Sequence, residues 1–337
     1  MKSVAVILAT FQGERFLKEQ LESISAQTHF PNELIITDDG STDRTLDIAK
    51  EFSKKAPFPV RVIENPSQLG YGENFLRATE KVNSELIAFS DQDDVWDQSK
   101  LELCVQAFDD ERVVFCAHSA LLIDQAGKQI GVFSQGIERS LVKPPFSFEP
   151  WGVFFGFSTV IKASTLRAVP MERRGPDHVQ PQRLTAHDRW AYMLGTTCGH
   201  TALLPQHLVR YRQHDANAFG RGGSSTLKLM KEPLAGVRDR AETYVAVAKH
   251  RSEMFLEASG QHAREDVLAR DLMRASEMWS EVARSALKRL RVYQSPGRLG
   301  RIGAIVKNVL EGVYRTPPAG DFEPVGLAKD LLTVVKS

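Results

Sequence analysis

The stretch Glu33-Leu34-Ile35-Ile36-Thr37-Asp38-Asp39-Gly40-Ser41-Thr42-Asp43 decides the fold. Its apolar start predicts a buried strand over Glu33 to Thr37, and that strand ends on two adjacent carboxylates. Gly40 suits a tight turn and Ser41 or Thr42 a helix cap, so a helix is predicted over Asp43 to Ser53. Upstream, Val4 to Ala9 reads as a strand, and Glu14 to Gln27 as an amphipathic helix with Phe16, Leu17, Leu21 and Ile24 on one face. Downstream come a strand over Val60 to Ile63 and a helix over Gly72 to Val82. A fourth strand, Glu85 to Ser90, runs straight into Asp91-Gln92-Asp93-Asp94. This alternation is the rhythm of an α/β sheet with helices packed on it. Ligands of open parallel sheets sit beyond the carboxyl ends of the strands, so Thr10, Asp38, Asp39 and Asp91 to Asp94 are expected to converge.

The composition limits what such a sheet can serve. The chain has 337 residues, with 42% hydrophobic and 25% charged, ordinary values for a soluble globular protein of one or two domains. With 43 Lys and Arg against 42 Asp and Glu the formal charge is +1, which leaves no global field for nucleic acid. Cys104, Cys116 and Cys198 are too few and too scattered for a disulfide framework, and none lies in a Cys-x-x-Cys pair. A reducing compartment and no zinc site are expected. No stretch approaches the roughly 18 apolar residues of a membrane span, so a cytoplasmic protein is expected, with contact to a membrane surface still open. Gly220-Arg221-Gly222-Gly223-Ser224-Ser225 marks the expected boundary between a domain over 1–220 and a helical region over 226–337. Helices are predicted at 227–258, 263–292 and 299–314, with Pro317-Pro318 ending the last.

Two clusters carry chemistry. Asp38-Asp39 reads either as a capped loop or as a site where one carboxylate accepts the imide N–H of uracil or thymine. Asp91-Gln92-Asp93-Asp94 packs three carboxylates into four positions, which suggests a cation. Mg²⁺ and Mn²⁺ favour oxygen ligands, and Mg²⁺ is commonly held by one or two carboxylates with substrate phosphates completing its shell. Such triplets also occur in surface loops.

Four segments, in this order and spacing, resemble the family 2 glycosyltransferases with the GT-A (Rossmann-like) fold. They are Val6-Ile7-Leu8-Ala9-Thr10-Phe11-Gln12-Gly13, Leu21-Glu22-Ser23-Ile24-Ser25-Ala26-Gln27-Thr28, Asp38-Asp39-Gly40-Ser41-Thr42-Asp43 and Asp91-Gln92-Asp93-Asp94. The resemblance covers residues 1 to about 220. Within it, His187-Asp188-Arg189-Trp190 and Tyr211-Arg212-Gln213-His214 are similar to the bacterial rhamnosyltransferase-like branch. It implies a GT-A nucleotide-sugar-binding domain with a helical C-terminal extension. By the same resemblance Thr10 and Asp39 contact the nucleoside, Asp39 through the pyrimidine, and Glu14 assists at the ribose. Phe11 stands where the family often has Tyr and keeps a ring that can stack on the base. Asp91 is implied near the ribose or the metal shell, and Asp93 as the direct ligand of Mn²⁺ or Mg²⁺. Asp188 matches the catalytic carboxylate, with His187 as the rival base; outside the resemblance Asp188 reads as a helix-terminal acid beside Arg189.

Arg212 and His214 are expected within reach of the diphosphate, the alternative being a strand-end His214 bonded to a backbone carbonyl. The segment 220–225 is either a phosphate lid or a linker. Trp151-Gly152-Val153-Phe154-Phe155-Gly156 is unusually aromatic; Trp151 and Phe155 are candidates for stacking on acceptor or donor sugar, with core packing the alternative.

The expected activity is metal-dependent, inverting transfer of a sugar, rhamnose from a dTDP donor, onto a surface polysaccharide or lipid-linked glycan. A UDP donor presents the same imide edge and stays open. A sugar-nucleotide pyrophosphorylase would need an Arg- and Lys-bearing Gly-rich loop, which Thr10-Phe11-Gln12-Gly13-Glu14 is not. A non-catalytic binding or scaffold protein that kept the fold is the other alternative. Six basic residues and no acidic one lie between Arg284 and Arg301, followed by Ile302, Ile305, Val306, Val309, Leu310 and Val313 on one helical face. That pattern suits an anionic membrane surface, a helix docked on the catalytic domain or a homodimer contact.

Overall fold

A computed structural model describes residues 2–214, 234–263, 266–316, 321–322 and 324–335. The chain divides into two compact units. The first comprises Met1–Pro145, Gly152–Met171 and Ala186–Gly220; the second comprises Phe146–Trp151, Glu172–Thr185 and Arg221–Ser337. The late boundary falls at the glycine-rich segment, but the two excursions of the second unit into the earlier sequence carry no compositional mark. Segment 220–225, with the lid or linker expected of it, lies outside the described residues.

The first unit runs β1 (Val4–Thr10), α1 (Leu17–Ser25), β2 (Glu33–Asp38), α2 (Thr45–Ser53), β3 (Val60–Glu64), α3 (Tyr71–Thr79), β4 (Leu86–Ser90), β5 (Val95–Trp96) and α4 (Lys100–Gln106). It continues with β6 (Val113–Ile123), β7 (Gln129–Phe133), β8 (Leu141–Lys143), β9 (Thr159–Lys162), α5 (Ala163–Leu166), α6 (His187–Thr197) and β10 (His200–Arg212). One sheet takes the order β3-β2-β1-β4-β9-β6-β10-β5, with β7 beside β6 and β8 beside β10. β1 pairs in parallel with both β2 and β4, so the chain order reverses at β1. Crevices at such reversals, beyond the carboxyl ends, are where doubly wound sheets take ligands. β9 then pairs antiparallel with β4 and β6, so the sheet is mixed rather than wholly parallel.

The strands form because their side chains are apolar on both faces. Val4 to Leu8 and Leu34 to Ile36 are wholly buried, and Leu17, Leu21 and Ile24 of α1 share the core cluster with Val4, Val6 and Leu8. α6 is buried along nearly its whole length. Gly195 lets it approach β6, since a Cβ there would meet the Phe115 ring carbon Cγ at 2.4 Å and its Cβ at 2.6 Å. This close approach fixes α6, whose first turn carries His187 and Asp188.

The second unit contains α7 (Leu234–Ser259), α8 (Val267–Gln294), α9 (Gly297–Leu310), the bridge pair β11 (Arg315–Thr316) and β12 (Asp321–Phe322), and α10 (Pro324–Val335). The sequence reading contains no α10. This helix is anchored by the fully buried Asp330, whose carboxylate accepts from Arg289, Tyr293 and Tyr314. Trp151 belongs to this unit. Its ring centroid lies 4.9 Å from Trp279, 4.6 Å from Tyr244 and 4.9 Å from His178, and Arg251 covers Trp279 at 4.5 Å. It therefore ties segment 146–151 to α7 and α8 as core. Among the described residues no helix is long and apolar enough to cross a membrane.

Gly195→Ala should lower stability by about 1–3 kcal/mol, the range for overpacking a filled core. Urea unfolding of the two proteins measures it, and an unchanged midpoint would mean that α6 can back away from β6 at no cost.

Candidate active site

Beyond the carboxyl ends of β1, β2 and β4 the first unit holds a cavity of about 230 Å³. Of the residues singled out in the sequence, Phe11, Asp39, Asp91, Asp93, Phe155 and Asp188 line it, and so does His187. Thr10, Glu14, Arg212, His214 and Trp151 are not among its lining residues.

The two neighbouring carboxylates of β2 avoid mutual repulsion by facing different partners. Asp38 accepts from Thr10 Oγ1 at 2.7 Å, Ser41 Oγ at 2.6 Å, and the Gly40 and Ser41 amides at 3.1 and 2.7 Å. It thus closes the turn in which Gly40 takes φ 87°, and it uses the Thr10 hydroxyl for structure. Asp39 accepts from the Leu69 and Gly70 amides, both at 2.7 Å, and from Asn65 Nδ2 at 3.2 Å. A carboxylate has about four lone-pair sites, so Asp39 orders the 65–70 loop and retains acceptor capacity toward the cavity.

Two glutamines clamp the neighbouring loops. Gln92 accepts the Phe11 amide and donates to the Phe11 carbonyl, both at 2.9 Å, bridging the ends of β1 and β4 and fixing the Phe11 ring at the cavity. Gln12 adopts φ 50°, rare for a residue with a side chain, and is held by contacts to Ser41, Thr42 and Asp43. Glu14 accepts the Arg44 amide at 3.0 Å through Oε2, holding the start of α2. The signal for Gln92 was its position inside the acidic cluster; nothing in the sequence pairs it with Phe11.

The acidic cluster is backed by buried groups. Asp94 is fully buried; its Oδ1 accepts the Arg212 amide at 3.0 Å, and its Oδ2 has no hydrogen-bond partner among the described residues. Burial first, then Asp93 and Asp91, push its carboxyl well above the usual range. Lys100, also fully buried, donates to the Phe157 carbonyl at 2.7 Å and lies 3.4 Å from the Trp96 ring centroid. Burial lowers its ammonium to about 7. Burial, then the charges of Asp93 and Asp188, push Asp91 up to about 7, with Lys100 acting in the opposite direction.

Arg212 is a correction to the sequence reading. It is 1% exposed, and its guanidinium donates to the Asp93 carbonyl at 2.7 Å, the Gln125 carbonyl at 3.2 Å and Glu19 at 2.5 Å. These contacts hold it behind the acidic loop, outside the lining of the cavity. His214 Nε2 meets Asp93 Oδ2 at 2.8 Å, its ring 5.3 Å from Phe16. His187 packs between Phe75 at 4.0 Å and Phe89 at 5.0 Å. Burial drives its pKa down to about 4, so it is neutral and weakly basic near pH 7. Asp188, in the first turn of α6, accepts the Arg189 amide at 2.7 Å through Oδ1 and lines the cavity.

Residues 5–155 match the profile of Glycosyl transferase family 2. This segment is a family 2 glycosyltransferase domain. An uncharacterized glycosyltransferase of Nostoc sp. is 28% identical over 238 residues, 69% of this chain and 72% of that one. The dTDP-rhamnosyl transferase RfbG of Shigella flexneri is 29% identical over 223 residues, 63% of this chain and 73% of that one. In fold the chain is similar to Staphylococcus aureus TarS 1–349, with a TM-score of 0.55 at 13% identity over 98% of this chain and 90% of that chain. The mixed sheet with its acidic carboxyl edge is thus a GT-A fold.

The donor set of this site fits a hard divalent cation that is incompletely coordinated by protein. Among the described residues no group of three His, Cys, Asp or Glu side chains is arranged to hold a metal alone. Asp93 with His214 beside it offers oxygen and nitrogen donors, and Asp91, whose proton is retained through burial and its acidic neighbours, is a carboxyl that a bound cation would ionise.

The raised pKa of Asp91 has a definite sign in stability. Between about pH 4 and 7 the folded chain holds a proton that the unfolded chain has released, so this contribution is complete below the unfolded pKa and is lost as pH rises through the folded one. From about pH 5 to about pH 8, Asp91→Asn should lose less stability than the wild type by about 1–2 kcal/mol, allowing for partial solvent exposure. Parallel slopes in urea unfolding at the two pH values would contradict this.

Proposed function

We propose that the protein is an inverting glycosyltransferase that moves a sugar from a pyrimidine nucleoside diphosphate to a hydroxyl of a surface-polysaccharide or lipid-linked glycan. One observation carries the reading: Asp39, Asp91, Asp93 and Asp188, from three separate segments, line one cavity at the reversal of strand order. Asp39, ordered by three hydrogen bonds, accepts the imide N–H of the base while Phe11 stacks on it. Thr10 and Glu14 act on the nucleoside side only by shaping this edge, through Asp38 and α2. Asp93 and His214 would hold Mn²⁺ or Mg²⁺ with Asp91 adjacent. Bound there, the ion would neutralise the charge that develops on the departing diphosphate.

Asp188 takes the proton from the acceptor hydroxyl as its oxygen attacks the anomeric carbon. The new C–O bond forms as the bond to the β-phosphate oxygen breaks, the nucleoside diphosphate leaves, and the configuration inverts. The depressed pKa of His187 supports Asp188 over it as base. Rhamnose from dTDP-rhamnose is supported by the likeness to RfbG and by the lining of Phe155, Phe157 and Tyr211, rings with few donors for a 6-hydroxyl. A UDP donor differs on the base by one methyl, a difference of about 1 kcal/mol.

Asp188→Asn should lower kcat by about 10²- to 10⁴-fold while nucleoside diphosphate affinity stays within about twofold. Asp93→Ala should abolish the metal-dependent part of that affinity. Steady-state kinetics with dTDP-rhamnose, together with titration calorimetry, measures both. Near-normal turnover by Asp188→Asn would remove it from the role of base.

A further inference from the structure

Helix α9 is turned the opposite way from an ordinary surface helix. Its buried side chains are Arg301, Ile305 and Asn308. Two of these are polar and have inward partners: Arg301 Nη1 donates to the Thr333 carbonyl at 2.8 Å, and Asn308 Nδ2 to the Lys288 carbonyl at 3.2 Å. The outward face is apolar, with Leu299 85%, Ile302 43%, Val306 53%, Val309 45% and Leu310 83% exposed. At about 100° per residue these five form a stripe roughly 100° wide, centred about 120° around the helix from the buried side chains. Arg298 and Lys307, both exposed, stand on its two flanks. The six-residue apolar face read from the sequence is therefore divided, because Ile305 and Val313 turn inward and the other four face solvent.

A contiguous exposed stripe of this kind marks an interaction surface, and its charge selects the occupant. Residues 284–315 contain eight basic side chains and one acidic, Glu311, which pairs with Lys288 at 2.6 Å and Lys307 at 3.9 Å. Arg284 and Arg289 pair with Glu281 and Asp330 and Arg301 is buried, so the net basic charge of the segment is carried by the exposed Arg291, Arg298, Lys307 and Arg315. A second copy meeting this face about a twofold axis would bring these like charges together. A surface of anionic headgroups over hydrocarbon satisfies both the stripe and its basic flanks. We infer that the outer face of α9 docks on an anionic lipid bilayer, its apolar stripe entering the headgroup boundary between Arg298 and Lys307.

The test uses the full chain and vesicles of phosphatidylcholine with and without about one third phosphatidylglycerol, by flotation at low and high salt. Binding to the phosphatidylglycerol vesicles alone, weakened by salt, is expected. Leu299→Gln with Leu310→Gln should reduce it by at least about tenfold. Arg298→Gln with Lys307→Gln should reduce it too, and all four positions are exposed enough for the variants to keep the wild-type unfolding midpoint. Absence of wild-type binding, or binding that survives both pairs of substitutions, would overturn the proposal. So would a wild-type dimer in light scattering that the leucine pair dissociates, since that result assigns the face to a second copy.

Discussion

Asp91, Asp93 and Asp94 concentrate three carboxylates within four residues at the end of the fully buried strand β4, and the surrounding structure is organised around tolerating that charge. Isolated buried carboxylates are costly, and the chain meets the cost in two ways. Behind the cluster, buried Lys100, its ammonium lowered to about 7, offsets part of the charge, and Arg212 donates to the Asp93 carbonyl and, through its amide, to Asp94. In front, Asp91 and Asp93 face a cavity where a cation and a diphosphate would complete the balance. An arrangement left short of positive charge is a poor scaffold and a good ligand site, since the missing stabilisation is available to whatever binds.

The same edge of the sheet is rigid before any ligand arrives. Asp38 closes the turn after β2, Asp39 orders the 65–70 loop, Gln92 joins the ends of β1 and β4, and Gln12 reaches the start of α2 through a backbone conformation that only these contacts would hold. Loops tied in this way need little further ordering on binding, so more of the contact energy can appear as affinity and orientation. Asp188 stands apart from this network, on a helix fixed to β6 by the close approach at Gly195. The carboxylates that line the cavity are thereby carried by different elements.

Much of this was legible in the sequence because the signals were local. β1, β2 and β4 are apolar runs ending abruptly in polar residues, which gives both strand and site edge, and Asp39, Asp91, Asp93 and Asp188 do meet at one cavity. What could not be read is hydrogen-bond accounting. Nothing in the residue type says that Thr10 serves Asp38, that Glu14 serves an amide of α2, or that Arg212 is buried, where arginine is seldom found. Trp151 looked like a sugar platform because aromatic residues suit both cores and carbohydrates, and its partners Tyr244 and Trp279 lie far along the chain. In the helical unit, periodicity identified the apolar residues of α9 but not which side faces the core. The Pro317-Pro318 pair read as an end, although a helix anchored through Asp330 follows it.

The central claim is that the carboxyl edge of β1, β2 and β4 binds a pyrimidine nucleoside diphosphate together with a divalent cation. Titration calorimetry of the full chain with dTDP, UDP and GDP, each with and without Mn²⁺, tests it most directly. Binding of dTDP or UDP that requires Mn²⁺ and exceeds that of GDP is the predicted result. Folded protein that binds none of the three, or that binds all three equally without metal, would contradict it.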